Sequence, residues 1–122
     1  MKKITLIMLL SLLISGVYAQ KKVLIEDYQK VIEAAKAEFD EAMKAPEGAL
    51  YLFAEKHQIK GTFVLSITIH EKGKVITVFV KKNEGGSIPS QNTLKDYLMK
   101  HRFNFKMPKG NDYKFDHTFQ FN

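Results

Sequence analysis

Gly61-Thr62-Phe63-Val64-Leu65-Ser66-Ile67-Thr68-Ile69-His70-Glu71-Lys72-Gly73-Lys74-Val75-Ile76-Thr77-Val78-Phe79-Val80 is the stretch that decides the fold. Phe63, Leu65, Ile67 and Ile69 alternate with Val64, Ser66, Thr68 and His70. A period of two with one apolar face is a half-buried strand. Gly73 supplies the positive φ that a short hairpin loop needs. Val75 to Lys81 is the returning strand, with Ile76, Val78 and Val80 on one face and Val75, Thr77 and Phe79 on the other. Both faces are apolar, so cover on two sides is expected for it.

Outward from the hairpin the period changes. Upstream, Leu24, Tyr28, Val31, Ile32, Ala35, Phe39, Ala42 and Met43 recur at helical spacing, with Glu26, Lys30, Glu33, Lys36, Glu38 and Lys44 on the wet face. Ala45-Pro46-Glu47-Gly48 stops that helix. Ala49 to Ala54 reads as a short second helix ending near His57. Downstream, Asn83 to Ser90 is a loop, and Ser90 or Asn92 can cap a helix striped by Leu94, Tyr97, Leu98 and His101. Pro108 and Gly110 end any helix there. Tyr113 to Asn122 alternates again: Tyr113, Phe115, His117, Phe119 and Phe121 face one way, and Lys114, Asp116, Thr118 and Gln120 the other. The aromatic row is expected in the core. The fold class is therefore α+β: a three-stranded antiparallel/mixed sheet of hairpin, crossover helix and final strand, preceded by an N-terminal amphipathic helix. With the first strand in the middle, the other two run parallel on either side of it, and the final strand lies on an edge.

The chain has 122 residues, 45% of them apolar, with no Cys and a formal charge of +6. That length suits one domain. The missing Cys excludes disulfides, thiolate metal sites and a thiol nucleophile. Residues 1–20 place Lys2 and Lys3 before an apolar run from Ile4 to Ile14 and small residues before Gln20. This is the layout of a secretory signal peptide, cut at Ala19/Gln20, so a periplasmic or secreted location is expected. The rival is a retained anchor, but Ile4 to Ala19 spans only 16 residues, short of the roughly 20 a spanning helix needs. The expected organisation is signal peptide 1–19, helix segment 20–47 and domain 48–122. Residues 21–55 hold 5 basic and 8 acidic side chains, and residues 56–122 hold 12 and 5. A basic domain invites nucleic acid, but an exported chain rarely meets it, so no nucleic-acid partner is expected.

No catalytic constellation is visible. His57, His70, His101 and His117 lack ligand spacing, so no metal or cofactor is expected. Asp116 and His117 are adjacent, point to opposite sheet faces and form no dyad with each other. Ser66 lies outside any G-x-S-x-G motif, and Gly85-Gly86-Ser87 is not a phosphate loop. Asp40-Glu41 belongs to a solvated helix face.

Gly61 to Ile69, the Glu71-Lys72-Gly73-Lys74-Val75 hairpin and Val78-Phe79-Val80 resemble the C-terminal domain of the TonB family, a TonB/TolA C-terminal-like fold. Phe53 to Gly61 resembles the family's lead-in to the first strand. Leu94, Leu98, Arg102-Phe103, Phe105, Pro108, Gly110 and Phe119-Gln120-Phe121 follow in the family's order. The resemblance covers roughly residues 52–122. It implies a non-catalytic module of the cell envelope that takes protein segments, such as those of TonB-dependent outer-membrane receptors, as an added strand. The residues so implied are Phe115, Asp116, His117, Thr118, Phe119, Gln120 and Phe121, acting through their backbone. Two departures stand out. Residues 4–19 lack the His that contacts the family's motor, and Pro occurs only at 46, 89 and 108, so no Pro-rich spacer is present. A small envelope structural or inhibitor-like module, with the fold as scaffold only, is the alternative. Homodimerisation is left open.

Overall fold

The structure, a computed structural model, describes residues 22–122. The expected signal peptide and its Ala19/Gln20 cut lie outside the described residues. The elements are β1 (Val23–Leu24), α1 (Tyr28–Ala42), α2 (Ala49–His57), β2 (Gly61–His70), β3 (Lys74–Glu84), α3 (Ile88–Lys100), β4 (Phe105–Lys106) and β5 (Asp112–Phe121). The main sheet has the order β3-β2-β5 and is antiparallel throughout. β2 is central, and β3 and β5 are the two margins, as the alternation implies.

Local chemistry sets the boundaries. The Asp27 carboxylate accepts from the Gln29 and Lys30 amides at 2.8 and 3.2 Å, so α1 starts one residue later. Leu24, which helical spacing places on the α1 stripe, instead pairs in β1 with β4, and the Ile25 amide donates to the Lys106 carbonyl at 2.8 Å. The cap of α3 is Ser87 rather than Ser90 or Asn92: its hydroxyl accepts from the Ser90 amide, and Pro89 sits in the first turn, where its missing N–H costs nothing. Gly73 turns the β2–β3 hairpin with φ 72°. Gly61 and Gly86 pass within van der Waals contact. A Cβ on Gly86 would lie 2.3 Å from Cζ of the buried Phe63.

One strand departs from simple alternation. The β2–β3 register shifts between Thr68 and Ile69 and again between Val64 and Leu65. Thr68 pairs with Thr77 and Ile69 with Val75, so Ile76 is the extra residue of a bulge. Val75 thereby joins Val78 on the buried face, while Phe79 on the other face is 60% exposed. The two-sided cover expected for β3 is absent among the described residues.

The core lies between the sheet and the helices. Phe63, Leu65, Ile67 and Ile69 of β2, Val75 and Val78 of β3, and Tyr113, Phe115, Phe119 and Phe121 of β5 form its floor. α3 covers the β3 side with Leu94 and Leu98, and α1 covers the β5 side with Val31, Ile32, Ala35 and Phe39. Phe39 is the hub. Its ring centroid lies 5.1 Å from Phe103 and 5.4 Å from Phe119, both edge-on. Edge-on pairing favours the ring quadrupoles beyond simple burial.

Candidate functional site

β5 pairs with β2 over its whole length without a register shift, from Gly61↔Phe121 to His70↔Asp112. Its opposite margin pairs with no strand among the described residues. Residues on a strand alternate in backbone direction as well as side chain. Every second residue of β5 therefore presents its N–H and C=O outward.

The seven residues expected to act here divide by face. Phe115, Phe119 and Phe121 are buried in the core, so their side chains cannot read a partner. Asp116, Thr118 and Gln120 are exposed on the outer face. Asp116 pairs with Lys81 at 2.8 Å across the width of the sheet, and that hydrogen bond holds its carboxyl below the usual range. His117 points inward and is half-buried. Its Nε2 lies 3.0 Å from Oδ1 of Asp40 on α1. Burial depresses the imidazole pKa, the Asp40 charge and hydrogen bond oppose that shift, and Lys36 adds to it. Asp116 and His117 thus face opposite sides, as alternation requires.

α1 packs on the inner face of β5 along its length. Tyr28 stacks on Tyr113 at 4.9 Å, Phe39 meets Phe119, and Met43 shares a cleft with Phe121. Helix and strand therefore run side by side in the same direction. The cleft, about 690 Å³, lies at the end of β5. Met43, Ala54, Ile59 and Phe121 supply its apolar part, and Glu55 and Lys60 lie at its polar part.

A second clamp fixes α1. The Glu38 carboxylate takes His101 Nε2 at 2.7 Å and the Asn104 amide at 2.9 Å. His70 pairs with Asp112 across β2 and β5. Three of the four histidines thus pair with carboxylates, which their sequence spacing did not reveal. Ser66 lies on the sheet face opposite His117, so the two cannot act together.

The other margin differs physically. β3 carries two bulges, the lysines Lys74, Lys81 and Lys82, and a bridge from Lys74 to Arg102 at one end. Bulges and lysines are the devices that keep sheet margins from pairing. β5 carries no bulge.

A three-stranded antiparallel sheet, backed on one face by helices and ending in a regular strand whose outer side pairs with no strand among the described residues, defines a small α+β domain. The family model of the Gram-negative bacterial TonB protein C-terminal matches residues 53–122, more than half of the chain, and the chain belongs to that family. It is thereby a TonB-like protein-interaction module of the envelope, and C-terminal domains of this family are non-catalytic. No curated protein and no solved structure matches the chain. The match begins inside α2 and leaves α1 outside, although α1 supplies part of the core.

Proposed function

We propose that the outer margin of β5, over Phe115 to Phe121, receives an extended segment of an envelope protein as a fourth strand. Segments of outer-membrane receptors are the first candidates. The observation that carries this is the contrast between the two margins: β5 is regular and its outer side pairs with no strand among the described residues, whereas β3 is bulged and lysine-rich. Unpaired backbone groups at such a margin gain partners when a strand adds to them. In this reading residues 1–19 are a cleaved leader, residues 20–47 carry the flanking helix, and residues 48–122 form the binding domain in the periplasm.

Magnitudes narrow the partner's chemistry. A six-residue segment makes about six new backbone hydrogen bonds, each worth about 0.5–1.5 kcal/mol net. Fixing its backbone costs about 1–2 kcal/mol per residue. Backbone pairing alone therefore does not hold it. Side chains of the segment must bury apolar surface, and the cleft beside Phe121 and Met43 provides a place for one. The partner is expected to be an extended segment with an apolar residue at the end lying over Gln120 and Phe121.

The test is titration of the ¹⁵N-labelled protein with synthetic peptides from receptor N-terminal segments. Saturable amide shifts confined to β5 and the cleft support strand addition. Peptides that bind while leaving residues 115–121 unperturbed, or no binding by any peptide, refute it.

A further inference from the structure

At the hairpin end of the sheet, away from the cleft, a groove of about 520 Å³ opens between β1, the β2–β3 turn and the β4–β5 connection. Lys22, Lys72, Lys106 and Lys109 line it, and all four are exposed. None of them forms an ion pair with a carboxylate among the described residues; Lys22 donates to the Phe103 carbonyl at 3.1 Å. Glu71 also lines the groove, and its carboxylate is engaged by the Gly110 amide. The floor is apolar: Phe105 and Met107 are buried beneath it, with Pro108 beside them. At the rim Leu24 is 53% exposed and its neighbour Val23 is 69% exposed. Pairing with β4 holds β1 in place with these two apolar side chains exposed.

We propose that this end of the domain docks on an anionic phospholipid surface. Lysines on flexible stems reach phosphates while their alkyl parts lie over apolar ground. Val23 and Leu24 supply side chains that partition into the acyl boundary, as apolar residues ringed by lysines do on peripheral proteins. Charge complementarity selects this surface: four lysines converge on one groove, and none of them is ion-paired with a carboxylate among the described residues. An acidic protein segment would satisfy the charges but gives no role to the outward Val23 and Leu24.

The experiment is sedimentation of the full chain with vesicles of phosphatidylcholine alone, or with about 30% phosphatidylglycerol added to make the surface strongly negative. Residues 1–21, with Lys2, Lys3 and Lys21, are common to the wild type and the variants, so the differences between these on anionic vesicles read the groove. Binding is expected to be tighter on the anionic vesicles and to weaken in high salt. Each lysine contributes about fivefold, so Lys72→Gln, Lys106→Gln and Lys109→Gln together reduce anionic binding about a hundredfold. Leu24→Asp is expected to weaken it as well, without changing the circular dichroism spectrum. Equal affinity for both vesicle types, or unchanged anionic binding by the triple variant, overturns the proposal. So does lysine-dependent binding of a poly-glutamate peptide with no vesicle binding. Peptide titration at β5 reads a different end of the molecule and stands or falls separately.

Discussion

Replacing Phe39 with Ala tests whether α1 is part of the fold or an ornament on it. Phe39 has no solvent exposure and touches Phe103, Phe115, Phe119, His101 and His117. Truncating a buried Phe costs about 3–5 kcal/mol, from lost transfer energy and the cavity left behind. The surrounding rings belong to two separate segments, residues 101–103 and β5, so collapse around the cavity is hindered and the upper half of that range is expected. A domain of this size has a total stability of about 5–15 kcal/mol. Phe39→Ala therefore consumes a large share of it. With a urea slope of about 1–2 kcal/mol per molar, the midpoint falls by roughly 2–5 M. The assay is urea unfolding followed by circular dichroism and by near-ultraviolet absorbance of the tyrosines. A loss below about 1 kcal/mol would refute the reasoning, because it would mean that α1 does not cover β5 in solution. The unfolded form of the variant is also expected to lose binding at β5, since that strand lies on Phe39.

Other outcomes follow from the same contacts. Glu38→Ala removes two acceptors at once, from His101 and the Asn104 amide, and is expected to cost about 1–3 kcal/mol in urea unfolding. Gly86→Ala drives a Cβ against the buried Phe63 ring and is expected to destabilise by about 1–3 kcal/mol, whereas Gly85→Ala meets no atom within 4 Å and carries only the strain of its positive φ. The depressed pKa of His117 has a sign that can be checked. In the unfolded chain the ring takes a proton near its ordinary value of about 6.5, but in the folded protein only at lower pH. The unfolded state binds more protons in that window, so stability falls as pH drops through it. Asp40→Asn removes the influence that raises this pKa, so NMR titration of His117 should show a further decrease and a steeper loss of stability below neutrality. An unchanged His117 titration in that variant would contradict the contact.

The fold was largely legible because it rests on periodicity. Alternation in β2 and β5 is clean, and one face of each is buried as read. β3 departs from its alternation for a physical reason. It is apolar at every position from Val75 to Val80 except Thr77, so sequence cannot show where a bulge resets the faces. Leu24 matched helical spacing, but Asp27 capped the helix after it and backbone pairing with β4 took the residue elsewhere. The candidate strand was legible as a segment. Its flank was not: His101 and Glu38 lie 63 residues apart, and His117 and Asp40 lie 77 apart. Pairs formed by tertiary packing leave no spacing signal. The basic groove was visible only as a surplus of lysines in the second half of the chain, with no indication that four of them converge.

Hydrogen exchange of the β5 amides addresses the central claim most directly. If the strand has an unoccupied outer side, every second amide from Tyr113 to Phe121 exchanges fast, while those of β2 are protected without alternation. A bound peptide then slows the fast set. Uniform slow exchange along β5 in the free protein would contradict the account, because it would mean that the outward groups already have partners.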